Sequence, residues 1–487
     1  MKTLATTIRF IGFSLLGLFV LMVASIVVAV FDRMDRSLQS LVISSGITLA
    51  CGLACVLSTK PTKRINIING YCIITGCWLG SCLFGALPFL FYGHEFSVVN
   101  ALIESVSGFT TTGASILNDI EAVPKGLLFW RIATSWIGGI GVVSLVSIVI
   151  SANDDRRSIM AGMELSTIAK EYYQGRRKQF IYRILTVYVV LTLASFISLH
   201  LAGMNWFDAA VHAMSACSTC GFSTKNNSVA FFDSPLIEAI LILSMVLASI
   251  NFSLLFSTFW PSGSNRRNIF NTKIVRVFLG MLALGTVALA YKLKEAGTCH
   301  TYSEALRVSA FQLCSITTTT GFATTDTNLW PSLCKAILCI GALVCGCSGS
   351  TAGGIKIDRV WLALKGCEEA FRSLTHPHQY DYVKADGHTK HEDEIASVMT
   401  FILLYLAIVF VGTLVYTTWG MDLKTGLSAS IACVGNVGPG FGEIGSMGNY
   451  AGLATFPKLF STLLMLLGRL EIYPIMIAAG ALVKRWR

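Results

Sequence analysis

Long runs of apolar side chains, separated by short polar connections, set the layout of this chain. Stretches such as IGFSLLGLFVLMVASIVVAV at 11–30 and FILLYLAIVFVGTLVYTTW at 401–419 carry no charge, and a helix needs ~20 such residues to cross a bilayer. Between the long runs lie segments too short to span: VVNALIESVSGF at 98–109, WFDAAVHAMSAC at 206–217, YSEALRVSAFQLCSI at 302–316 and LKTGLSASIACV at 423–434. Each runs into a polar stretch centred on one glycine: SVSGFTTTGAS at 105–115, SACSTCGFSTK at 215–225, SITTTTGFATT at 315–325 and VGNVGPGFGEI at 434–444. Span, short helix, polar stretch and span thus recur in units at about 69–151, 180–262, 272–365 and 396–486, the kind of internal repeat that defines an architecture. Two further spans, 7–31 and 39–58, precede the first unit. The pattern predicts about ten full spans and four half-membrane hairpins.

Irregular backbone at membrane depth is tolerated only where protein buries it or where it lines a wet space. Four similar units around one axis bring four glycine loops to that axis, where rings of carbonyl oxygens can replace an ion's hydration shell. Glycine at 113, 221, 321 and 438 allows backbone geometry that a side chain would obstruct. The short helices aim their C-terminal, partly negative ends at the pathway, which favours a cation. The expected fold is therefore an all-α integral membrane protein in pseudo-fourfold arrangement around one ion pathway. Its divisions are an N-terminal two-helix unit at 1–64 and pore repeats at 65–165, 166–265, 266–375 and 376–487.

Composition agrees: 54% of the 487 residues are apolar and 13% charged. The net charge of +10 invites a nucleic-acid partner, but the basic residues sit in short connections rather than on one face, so no nucleic acid is expected. Lys60, Lys63 and Arg64; Arg156, Arg157, Arg176, Arg177 and Lys178; Arg266, Arg267, Lys273 and Arg276; and Lys484, Arg485 and Arg487 fall on one side if the N-terminus is inside, which makes both termini cytoplasmic. The first apolar run is too long for a signal peptide and lacks a small-residue cleavage site. The 15 cysteines lie mostly inside apolar runs and read as small buried hydrophobes. CSTC at 217–220 has redox or zinc spacing, yet nothing supplies a second ligand pair.

Several other features carry candidate chemistry. GCSGSTAGGIKID at 346–358 interrupts the last span of the third unit; it lacks the ending of a phosphate loop and reads as a flexible break, or else as a kink packed through small residues. Arg469 falls about halfway along the last apolar run, where a charge is a functional hypothesis by default. It either pairs with Glu471 or loop carbonyls, or faces the cavity below the fourth loop and repels cations. Glu104, in the first short helix, is expected to position that helix. Asp119, Asp326 and Glu443 follow their loops and could concentrate cations at the outer mouth. HPHQYDYVKADGHTKHEDE at 376–394 holds four of the eight histidines, without a spacing that makes a metal site, and is expected to be a solvated cytoplasmic loop touching a regulatory subunit.

IESVSGFTTTGAS at 103–115, LFWRIATSWIGGIGVV at 128–143, GCSGSTAGGIKIDR at 346–359 and MLLGRLEIYP at 465–474 resemble signatures of the Trk/Ktr/HKT superfamily of cation transporters, in that family's order and over nearly the whole chain. The resemblance implies a potassium-conducting subunit of a bacterial cytoplasmic (inner) membrane uptake system. It implies a selectivity filter at Thr111, Thr112 and Gly113; Thr219, Cys220 and Gly221; Thr319, Thr320 and Gly321; and Asn436, Val437 and Gly438, with K+ ions bound there and no covalently bound cofactor. Cys220 and the NVGPG form of the fourth loop depart modestly from the threonine-rich pattern. The resemblance makes the break a gating loop, with Gly346, Ser348, Gly349, Ser350, Thr351, Gly353, Gly354 and Lys356 in it, and favours an Arg469 that faces the cavity and repels cations until that loop moves. It further implies a homodimer and a cytosolic, TrkA-like nucleotide-binding regulatory subunit. Glycine in all four loops favours potassium; the alternative is a sodium-selective or Na+/H+-coupled symporter on the same scaffold. A membrane enzyme is not expected, because no base is paired with a nucleophile at useful spacing.

Overall fold

The computed structural model describes residues 2–32, 35–60, 67–151, 177–260, 268–375, 384–385, 388–389 and 392–486. Most of the histidine-rich segment and several of the basic connections, among them Lys63, Arg64, Arg156, Arg157, Arg176, Arg266 and Arg267, lie outside the described residues.

The described chain is helical, apart from two two-residue strand pairs. Ahead of the repeats, α1 (Lys2–Phe31) and α2 (Leu38–Leu57) pack together. The first unit contains α3 (Ile67–Gly85), its short continuation α4 (Leu87–Tyr92), the short helix α5 (Val98–Phe109) and α6 (Lys125–Ser151). The second contains α7 (Arg177–Leu201), short helix α8 (Trp206–Ser218), α9 (Pro235–Ala248) and α10 (Phe252–Phe259). The third contains α11 (Lys273–Glu295), short helix α12 (Tyr302–Thr317), α13 (Ser332–Leu343) and α14 (Ile357–Thr375). The fourth contains α15 (Glu392–Thr418), short helix α16 (Leu423–Gly435), α17 (Thr455–Arg469) and α18 (Tyr473–Trp486).

Among the described residues, six segments are long and apolar enough to cross a membrane: α1, α2, α3 with α4, α7, α11 and α15. Their outer faces carry large bare side chains, such as Val20, Leu403 and Phe410, as expected where the surrounding solvent is acyl chain. The closing spans behave differently. The sequence predicts a break only in the third unit, but α9 and α10 meet at 107° and α17 and α18 at 105°. The first bend follows from Asn251, whose side chain accepts from the Ser253 and Leu254 N–H groups and restarts the helix there. At the second, Glu471 and Ile472 take positive φ, and Pro474 follows within the first turn of α18.

The four short helices start alike. Ser97, Asn205, Thr301 and Asp422 each accept, through a side-chain oxygen, the N–H three residues on, which satisfies one of the orphan donors of a helix N-terminus. They also end alike. Thr111, Thr219, Thr319 and Asn436 are left-handed, with φ between 52° and 57°. The next N–H in each unit reaches back five residues, Thr112 to Ser107, Cys220 to Ser215, Thr320 to Ser315 and Val437 to Ala432. This is a Schellman closure with a side chain where glycine is usual. Three of those positions hold β-branched threonine, for which positive φ is strained, and such strain clusters at functional sites.

Candidate ion pathway

The four loop glycines form a closed ring. A Cβ placed on Gly113 would stand 1.8 Å from the Cys220 carbonyl oxygen, one on Gly221 2.0 Å from that of Thr320, one on Gly321 2.3 Å from that of Val437, and one on Gly438 2.3 Å from that of Thr112. Each unit therefore lays the carbonyl preceding its own glycine against the glycine of the previous unit, and the fourth closes on the first. All four glycines are left-handed, with φ from 77° to 91°, so each loop carries positive φ at the helix-ending residue and again two positions later. Only glycine satisfies both the close approach and the second positive φ.

The ring is braced from behind. Glu104 and Arg131 form a fully buried ion pair. Glu104 also accepts from the Ile116 N–H at 3.0 Å, while Arg131 donates to the Ser223 carbonyl at 3.3 Å and lies over the Phe222 ring. Glu104 is thus a positioning group that ties the first loop to the second. The same position, nine residues before each glycine, holds His212, Gln312 and Ala429. His212 Nε2 meets Ser223 Oγ at 3.0 Å, and Gln312 donates to the Thr325 carbonyl at 3.1 Å. Arg307 pairs with Glu238 at 2.8 Å between the third and second units. Asn328 donates to the Gly442 carbonyl at 3.0 Å between the third and fourth. The Tyr450 N–H donates to the Ser115 carbonyl at 2.8 Å between the fourth and first.

Directly below, the break in the third unit folds into an intramembrane loop. Val344–Cys345 and Ile355–Lys356 pair in parallel and pinch off residues 346–354. Thr351 Oγ1 donates to the Cys217 carbonyl at 3.0 Å, at the end of α8. The Gly353 N–H donates to Thr319 Oγ1 at 2.8 Å, and Asn251 holds the Ser348 carbonyl at 2.8 Å. The Ser348 N–H is taken by Asp358. Gly349 is left-handed against the Asn251 side chain, and Gly354 is left-handed against Cys345, so both need to be glycine. Gly346 packs against Ser249 and Ala352, Ser350 Oγ donates to the Cys347 carbonyl at 2.6 Å, and buried Lys356 donates to the Ala352 carbonyl. Arg469, also buried, donates to the Thr351 carbonyl at 2.7 Å and the Gly138 carbonyl at 3.1 Å. It therefore grips the loop and α6 rather than Glu471, whose carboxylate is paired with Arg359.

Other expected residues are placed apart from the ring. Asp119 is exposed beside Asn226; the Asn226 hydrogen bond, helped by the Glu121 and Ala122 N–H groups, holds its carboxyl below the usual range. Asp326 caps a short turn through the Asn328 N–H at 2.9 Å, and Glu443 is exposed. Among the described residues no group of His, Cys, Asp and Glu could hold a metal ion. Arg131, Asn251, Arg359 and Tyr450 go unnoticed in the sequence. Asn251 and Pro474 leave a signal there, since each interrupts a run that is otherwise apolar, and so does Arg131, a charge within an apolar run; Tyr450 leaves none.

A helical membrane protein with four short-helix hairpins closing one glycine ring is the class these features define. Residues 37–484 match the family model TrkH, described as a cation transport protein. The chain is 31% identical over 480 residues to the Trk system potassium uptake protein TrkH of Halomonas elongata, covering 98% of each. To the protein of the same description from Escherichia coli it is 28% identical over 431 residues, covering 86% of each. The crystal structure of the potassium transporter TrkH from Vibrio parahaemolyticus superposes with a TM-score of 0.88 at 29% identity, covering 98% of both chains. This chain belongs to the TrkH family of cation transport proteins.

Proposed function

We propose that the chain is the potassium-conducting membrane subunit of a Trk-type uptake system, with the glycine ring as its selectivity filter. The observation that carries this reading is the cyclic packing of each glycine on the next unit's carbonyl, Gly113 on Cys220, Gly221 on Thr320, Gly321 on Val437 and Gly438 on Thr112. Carbonyls of Thr111 and Thr112, Thr219 and Cys220, Thr319 and Thr320, and Asn436 and Val437 replace the water around a dehydrating cation. The names of the relatives, potassium uptake proteins and a potassium transporter, favour K+ as the ion. The buried loop at 346–356 obstructs the pathway under the ring, and Arg469 fastens it in place while adding positive charge there. Movement of that loop is the gate, and a cytosolic nucleotide-binding subunit drives it by binding the cytoplasmic ends of the spans. A homodimer in the bacterial inner membrane is the assembly in which we expect the chain to work.

The test is uptake of rubidium, a potassium surrogate, into proteoliposomes containing this chain, with sodium as competitor. Saturable uptake that sodium does not displace at equal concentration supports the proposal. Uptake displaced equally by sodium rules out the potassium assignment.

A further inference from the structure

The fourth quadrant of the ring departs from the other three. Gly113, Gly221 and Gly321 are partly exposed, and the residues that follow them, Ala114, Phe222 and Phe322, are buried. In the fourth loop the order reverses, with Gly438 buried and Pro439 partly exposed. Tyr450 accounts for the reversal: its hydroxyl donates to the Gly438 carbonyl at 2.9 Å. Among the described residues no protein group donates to the carbonyls of Gly113, Gly221 or Gly321. Tyr450 is itself fully buried and fixed at both ends. Its N–H is held by the Ser115 carbonyl at 2.8 Å, and its hydroxyl lies 3.7 Å from Cys433 Sγ, in a chain that continues through Tyr416 to Ser461.

Turning a carbonyl away from a cation pathway usually swings the amide N–H of the same peptide toward it, and the cation is repelled. The Gly438–Pro439 peptide has no N–H. It can face away at no such electrostatic cost, leaving a proline ring at the wall; Pro439 Cδ lies 2.8 Å from the Cβ position of Gly321.

We propose that Tyr450 and Pro439 hold the Gly438 carbonyl out of the pathway, so that the outermost level of the filter is a three-carbonyl site and Tyr450 is a specificity-determining positioning residue. The proposal rests on the filter reading above. A site of three carbonyls leaves one side of the ion to water, so a cation entering from outside is captured without full dehydration.

The experiment is rubidium uptake with sodium competition in proteoliposomes of the full chain, comparing wild type, Tyr450→Phe and Gly321→Ser. Loss of the hydroxyl frees the Gly438 carbonyl to turn inward, and one net hydrogen bond is worth ~2–10-fold in an equilibrium. Tyr450→Phe should therefore lower the apparent KM for rubidium by that factor and weaken competition by sodium. Rubidium-dependent thermal stabilisation of the purified protein reads the same site by occupancy and serves if flux is lost; its midpoint should shift by the same factor. An unchanged KM and midpoint in Tyr450→Phe, with selectivity lost in Gly321→Ser, overturns this inference and spares the filter. If neither variant alters selectivity, the filter reading fails and takes the inference with it.

Discussion

Gly113 has a carbonyl oxygen of the neighbouring unit where its side chain would be, and the same holds at Gly221, Gly321 and Gly438. Any substitution there meets two obstacles, a contact of 1.8–2.3 Å and a left-handed backbone that costs an L-residue ~1–2 kcal/mol. Serine at Gly113, where the approach is closest, should widen the ring most; serine at Gly321 should do so less. Both should lower rubidium-over-sodium selectivity in uptake assays, Gly113→Ser more than Gly321→Ser, while the protein still reaches the membrane. Glu104 makes a second prediction at this scale. Removing it leaves Arg131 charged and buried, so Glu104→Ala should cost ~3–5 kcal/mol, whereas an apolar pair at both positions should recover most of that; thermal unfolding in detergent measures both. The glycines were legible in the sequence, because their spacing repeats within one hydropathy frame. Arg131 was legible only as a charge in an apolar run; its contact with Glu104 and Phe222 across the fold is hidden by sequence distance.

Helices α5, α8, α12 and α16 are set by their ends. A side-chain oxygen caps each N-terminus, and a strained left-handed residue closes each C-terminus, so the helix stops where its loop must begin. These lengths were readable from segments too short to span. The bends of the second and fourth closing spans were not, since hydropathy averages over a single Asn251 or Pro474 in an apolar run. Those bends matter at the loop between α13 and α14. Asn251, at one bend, holds the Ser348 carbonyl, and Arg469, at the other, holds that of Thr351. The loop is thus pinned by the two neighbouring units as well as by Asp358 and Thr319 of its own. Arg469→Ala removes two charged hydrogen bonds, each worth ~1.5–3 kcal/mol, and should raise rubidium flux through the chain alone by at least ~10-fold. Unaltered flux in Arg469→Ala would show that the loop is not the barrier.

Seen whole, the molecule is a closed circle of four units, with contacts running from first to second, second to third, third to fourth and back to the first. Two helices, α1 and α2, flank it. The circle was visible in the sequence because one pattern occurs four times; its closure needs distances between units, which no single repeat contains. The positive-inside pattern predicts that both termini are cytoplasmic, and Cys367 tests that orientation, being the one exposed cysteine among the described residues. On α14, below the intramembrane loop, it should react with a membrane-impermeant maleimide in inside-out vesicles and not in intact cells; the reverse labelling would invert the topology. In the proposed pathway a dehydrated cation sits inside the glycine ring. Anomalous diffraction from crystals grown in rubidium tests it most directly. Density is expected on the axis, enclosed by the carbonyls of Thr112, Cys220, Thr320 and Val437 and absent from crystals grown in sodium. Rubidium found only outside the ring, or equal density for both ions, would contradict it.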